Sequence, residues 1–179
     1  MVAPWCQGSV LITFSESGSD VIASGGGTVD TTALAGGTVF AQGFVRGQGP
    51  EGAIVGPNTS VVTLMFSSIL GPSSIGSGAI THSASFGTGN IFGAFSTGVI
   101  VPSGYVSKSS LSGTSTYTGQ TFATLGLTQG SYTWTWGSGP TADSLTVNIG
   151  AVPEPSETLA VAGLVCLGVA AMRRWQRRA

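Results

Sequence analysis

Acid–base chemistry in residues 1–150 rests on a short inventory: Glu16, Asp20, Asp30, Glu51, Asp143 and one histidine, His82. Two carboxylates flanking a sugar linkage would suit glycoside hydrolysis. His82 between a serine and an acid would suit acyl transfer. Neither arrangement is signalled. The acids are few for a body of this length; Asp20 and Asp143 fit strand or turn edges, and Asp30 fits a turn. Serines are too abundant for any one to be diagnostic, and no Gly-x-Ser-x-Gly elbow is present. His82, within Thr81-His82-Ser83, reads as a solvated loop or strand residue. There is no Cys-x-x-Cys pair, no histidine cluster and no Asp-rich calcium loop. Gly25-Gly26-Gly27 lacks the Gly-Lys-Ser/Thr that completes a phosphate loop. The expectation is a body with no catalytic residue, no metal and no cofactor.

Tyr132, Trp134 and Trp136 are the other candidates. Facing solvent, three aromatic rings in a row would stack on sugar rings. Facing inward, they are core. Their alternation with Thr133 and Thr135 on one side of a terminal hairpin favours the core.

The elements that would carry these residues are strands. Val10, Ile12 and Phe14 alternate with Leu11 and Thr13. Residues 20–24 make a second, shorter candidate, and Gly25-Gly26-Gly27 predicts a turn after it. Residues 38–45, broken by Gly43, suggest a bulged strand. Residues 60–66 form the strongest continuous strand run, entered through the turn Gly56-Pro57-Asn58. Residues 67–120 hold short apolar islands among Ser, Gly and Thr, and predict short strands with long loops. Residues 132–136 and 145–149 alternate on either side of Gly137-Ser138-Gly139-Pro140, which predicts a hairpin. No sustained helical period occurs in 1–150.

The chain has 179 residues, 29 of them glycine, and only 7% are charged, against roughly 25% in ordinary globular domains. Up to residue 152 the five acids face only Arg46 and Lys108, a net −3. That balance excludes the basic footprint of a nucleic-acid binder. The remaining 27 residues differ. They run from a Pro-Glu-Pro motif (Pro153, Glu154, Pro155) through 14 uncharged residues, 159–172, to Arg173, Arg174, Arg177 and Arg178. As a helix, residues 158–175 would span about 27 Å, close to the roughly 30 Å hydrocarbon core. Trp175 would sit at the interface, and the arginines would hold their end in the cytoplasm. Cys6 and Cys166 predict no disulfide framework. Residues 1–9 lack the positive and apolar regions of a secretory signal, so an export signal is expected upstream of this start.

The order Pro153-Glu154-Pro155, apolar run, arginine cluster resembles the C-terminal sorting signal of bacterial PEP-CTERM proteins, the substrates of exosortases. The segments around Ile12-Thr13-Phe14-Ser15 and Tyr132-Thr133-Trp134-Thr135-Trp136 are also similar to ectodomains of that group. The resemblance implies export, transient anchoring in the inner membrane with the body on the periplasmic side, and processing by an exosortase near the motif. It further implies a Gram-negative envelope and an association with exopolysaccharide or biofilm matrix. Pro153, Glu154 and Pro155 would be the recognition element. Leu159, Val161, Leu164, Val165, Leu167, Val169 and Met172 would form the membrane anchor. Arg173, Arg174, Arg177 and Arg178 would be the stop and orientation signal.

The expected architecture is all-β: an antiparallel sandwich or jelly-roll-like domain over 1–150, then a sorting signal with a transmembrane helix over 151–179. The expected function is that of an exported, non-enzymatic surface or matrix protein. Two alternatives follow from the residues above. An exposed Tyr132/Trp134/Trp136 face would make a carbohydrate-binding module, and two carboxylates in one cleft would make a secreted hydrolase.

Overall fold

The computed structural model describes residues 9–49, 52–58, 60–66, 69–95 and 98–150. Glu51, the motif at Pro153, Glu154 and Pro155, the run 159–172 and the arginines at 173–178 lie outside the described residues. Among the described residues no helix is long and apolar enough to cross a membrane.

Those residues form an all-β body. In chain order its strands are β1 (Ser9–Ser17), β2 (Asp20–Thr28), β3 (Ala35–Ala41), β4 (Phe44–Val45), β5 (Ala53–Val55), β6 (Ser60–Phe66) and β7 (His82–Ser83). There follow β8 (Phe86–Gly89), β9 (Phe92–Phe95), β10 (Gly98–Pro102), β11 (Ser110–Tyr117), β12 (Gly130–Trp136) and β13 (Asp143–Ile149). One sheet has the order β12-β13-β1-β2-β11-β8, and the other β3-β6-β10-β9-β5-β4-β7.

Alternation explains the core. Val10, Ile12 and Phe14 of β1 point inward with Val21 and Ala23 of β2 and Leu145, Val147 and Ile149 of β13. From the second sheet Val45, Ala53, Val55, Phe92, Ala94, Val99 and Val101 meet them, so both sheets share one apolar cluster. Ser115, fully buried on β11, adds a polar tie between the sheets. Its hydroxyl accepts from Gly56 N at 3.0 Å and donates to Gly56 O at 3.1 Å, which leaves no buried group unpaired there.

Three sequence expectations need correction. The pairing is not wholly antiparallel: β1 lies parallel to β13, with Val10 opposite Leu145 and Phe14 opposite Ile149. Gly25-Gly26-Gly27 is no turn but the second half of β2, opposite Ile12, Leu11 and Val10. Glycine is required there by proximity. A Cβ at Gly25 would lie 2.9 Å from the Ile12 side chain and 3.2 Å from the Phe92 ring, so the triplet lets the layers close up. Residues 38–45 are not one bulged strand but β3 and β4, parted at Gln42 and Gly43. Gly43 is pinned where a Cβ would sit 2.6 Å from Ser115 Oγ and 2.7 Å from Gly56 O.

The facing arm breaks at the same level, between β5 and β6, where Gly43 N–H donates to Pro57 O at 3.1 Å. Beyond the break β6 pairs with β10 and β5 with β9, while β9 and β10 pair with each other. The seven-stranded sheet therefore turns a corner here. A second apolar cluster of Ile54, Val62, Ile91 and Ile100 occupies its other face, with Phe44 and Phe95 packed against it.

The glycine triplet yields a graded prediction. At Gly26 an added Cβ meets only Leu111 O, at 3.1 Å, whereas at Gly27 (φ +135°) it would lie 2.0 Å from Ser9 O. Gly26→Ala should change the unfolding free energy by under about 1 kcal/mol. Gly27→Ala, which combines strain with a backbone clash, should cost at least about 3 kcal/mol. Equal denaturation midpoints for the two variants would contradict this account of β2.

Candidate functional site

The aromatic row resolves first. Trp134 and Trp136 are 1% and 3% exposed, and Tyr132 packs half-buried against the same core. Tyr132 OH donates to Thr128 O at 2.9 Å, and Trp136 Nε1 donates to the backbone O of Asp30 at 3.0 Å. The outward-facing platform that would stack on sugars is thus not formed by these rings. The hydroxyl side of β12 faces solvent instead, with Thr133 bonded to Thr146 at 3.0 Å.

The carboxylates share one habit. Each of the four described acids accepts a backbone N–H from a distant or adjoining loop. Glu16 Oε1 accepts from Phe122 N at 2.6 Å, and Asp20 Oδ1 from Gly119 N at 2.9 Å. Asp143 Oδ2 accepts from Asp30 N at 2.5 Å and its Oδ1 from Ser144 N at 2.7 Å. Asp30 Oδ1 accepts from Thr32 N at 2.9 Å and from Ser107 Oγ at 3.1 Å. Charge-assisted bonds of this kind are the stronger class, and here they fasten loops.

Asp30 and Asp143 are the pair that comes closest to a site. Both are buried, 2% and 5% exposed; Asp143 opens β13, and Asp30 directly precedes the turn closed by Leu34 N donating to Thr31 O. Asp30 Oδ2 pairs with Lys108 Nζ at 3.1 Å. Around them Val29 N donates to Tyr105 OH at 2.9 Å, and Lys108 N donates to Val29 O at 2.8 Å. Lys108 has φ +67°, the only positive φ among described non-glycine residues. That left-handed conformation is costly for a side-chain-bearing residue, and the ion pair and backbone bond hold it. Three chain segments, 28–32, 105–109 and 136–144, are buckled together by this cluster.

The two acids differ in character. Burial pushes the Asp30 carboxyl up, but hydrogen bonds from Thr32, Lys108 and Ser107 outweigh it and hold Asp30 at about 2, below the ordinary 3.8. Burial raises Asp143, and the neighbouring Asp30 charge adds to that against the bonds from Asp30 N and Ser144 N. The split is what a catalytic acid–base pair would show. Here, though, both carboxylates are engaged by the protein's own amides, hydroxyl and lysine. Alternation was the missed signal: Asp143 precedes Leu145, Val147 and Ile149 at the same two-residue period, so it too must face the core.

His82 sits half-buried on β7 opposite Val45. Among the described residues no cluster of His, Cys, Asp or Glu is arranged to hold a metal ion.

A different feature had no sequence signal. A groove of about 510 Å³ opens beside β3, lined by Val39, Phe40, Phe44, Ile54, Phe95 and Ile100. Gln42 also lines it, but its amide donates to Ser83 Oγ at 2.7 Å. The lining comes from β3, β4, β5, β9 and β10, elements brought together only by the corner in the sheet.

The fold and these contacts define an all-β body over the described residues. Compared with protein-family models, curated proteins and solved structures, the chain finds no match.

Proposed function

We propose that this chain is an exported, non-enzymatic surface or extracellular-matrix protein: a sandwich-like β body delivered by a C-terminal sorting signal. One observation carries the reading. Soon after β13 closes the body at Ile149, the sequence gives Pro153-Glu154-Pro155, 14 uncharged residues and four arginines. That order suits an accessible hinge, a short membrane helix and a cytoplasmic stop. An exosortase would read the motif and release or transfer the body on the periplasmic side, toward an exopolysaccharide-containing matrix. The engagement of Glu16, Asp20, Asp30 and Asp143 with loop amides supports a non-enzymatic body.

The test is intact-mass and C-terminal peptide analysis of the mature protein from its native host, with and without the exosortase gene. The expected result is loss of the tail near residues 153–155 only when the enzyme is present. A tail retained through Ala179 in both strains would refute the sorting reading and leave a permanently anchored protein.

A further inference from the structure

Strand β3 is an edge with an unusual composition. It pairs with β6 along one side, Ala35 opposite Phe66 through Ala41 opposite Ser60, and among the described residues nothing pairs with its other side. Seven residues of edge backbone are thereby left open to pairing. Natural edges are normally blunted by lysine, proline, a bulge or brevity. β3 has none of these: it reads Ala-Gly-Gly-Thr-Val-Phe-Ala, and no charge occurs anywhere from residue 31 to 45. Phe40 is 79% exposed and Val39 38%.

The other three edges differ. β7 has two residues and β8 four. β12 is partly closed, because Leu70 exchanges backbone hydrogen bonds with Thr135 at 2.9 and 2.8 Å.

From this edge we infer that β3 is a self-association surface whose partner is β3 of a second copy of the chain, paired antiparallel about a two-fold axis at Thr38. The strand's sequence favours that register. Centring on Thr38 sets Phe40 opposite the partner copy's Gly36 and Val39 opposite its Gly37, so each large side chain covers a glycine. Aromatic cover of edge glycines is a known way to fix register. The absence of charge on both faces removes the like-charge repulsion that would oppose a strand meeting its own copy. The apolar groove, walled by Val39, Phe40 and Ala41, would be extended by the partner strand. The inference rests on the sheet edge alone and does not depend on the sorting reading.

A seven-residue ladder is a small interface, and a dimer midpoint on the order of 10 μM is expected. The test uses the full chain in a non-ionic detergent, with Cys6→Ser and Cys166→Ser as background. In the register above, the Cα atoms of the two Thr38 residues lie about 4.5–5.5 Å apart, within disulfide reach. Thr38→Cys should therefore give mostly covalent dimer under mild oxidation, while Ser131→Cys, exposed on β12 of the other sheet, should stay largely monomeric. Separately, Thr38→Lys should weaken the dimer at least tenfold by sedimentation at low salt, with an unchanged unfolding midpoint when measured well below the dimer midpoint, because Thr38 is exposed in the monomer.

Equal cross-linking at both positions would overturn the proposal. So would a dimer that survives Thr38→Lys, which would place association in the apolar tail, or a chain monomeric to about 100 μM.

Discussion

Replacing Trp134 with alanine is expected to lower the unfolding free energy by about 4 kcal/mol, the largest effect of any single aromatic change in this body. Trp134 is the largest fully buried side chain described. It sits opposite Leu145 in the β12–β13 ladder. A Cβ at Gly71 would lie 2.2 Å from its Cδ1, so the neighbouring loop is built against the indole edge. Removing the ring empties space that backbone on both sides cannot refill. Trp134→Phe supplies the control. Trp134 Nε1 is buried without a hydrogen-bond partner, so phenylalanine forfeits no polar contact and should cost about 1–2 kcal/mol. Urea denaturation of the three proteins measures both values. If Trp134→Ala kept its stability and lost only affinity for a glycan, the ring would be a ligand platform after all.

Asp30→Ala is expected to cost about 3 kcal/mol at neutral pH and to change the acid limb of stability. The substitution strips acceptors from Thr32 N, Ser107 Oγ and Lys108 Nζ together. The sign of the pH effect follows from Asp30 sitting at about 2 in the folded chain against an ordinary 3.8. Its stabilisation is complete above 3.8 and drains away as pH falls toward 2. Asp143 acts in the opposite sense. Its carboxyl is raised by burial, so its contribution is full below the ordinary value and is lost as pH rises through the folded one. The wild-type chain should therefore lose stability between 3.8 and 2, and Asp30→Ala should lose distinctly less over that window. Urea midpoints from pH 2 to 7 test this. Parallel curves for the two proteins would place the acid sensitivity elsewhere.

What could be read from the residues was whatever large side chains declare by alternating. Val10, Ile12 and Phe14 announced β1. Val62 and its neighbours announced β6 with its observed ends, and Tyr132, Trp134 and Trp136 announced the last hairpin. Strands built from small residues were silent. β11 reads Ser-Leu-Ser-Gly-Thr-Ser-Thr-Tyr and buries Gly113 and Ser115 along with Leu111 and Tyr117, because its inward positions must clear the Phe92 ring and reach Gly56. The end of β2 was silent for the same reason. The Asp30–Asp143 cluster joins residues 113 apart in sequence, and no local pattern reports such a meeting. The groove depends on a corner made by two coincident breaks, at Gly43 and after Gly56, and loop chemistry alone does not say that two breaks will coincide.

The parallel pairing of β1 with β13 has a mechanical meaning. Ser9 begins one strand opposite Ser144, and Ile149 ends the other opposite Phe14. The chain therefore enters and leaves this sheet at opposite ends of two adjacent, like-directed strands. Tension applied between residues 9 and 149 would draw β1 and β13 past each other lengthwise. Their hydrogen bonds, from Ser9 opposite Ser144 to Phe14 opposite Ile149, would resist together instead of opening one at a time like a zip. A body tethered through its tail and pulled at its other end would yield by shear, the direction in which a β-sheet is hardest to part.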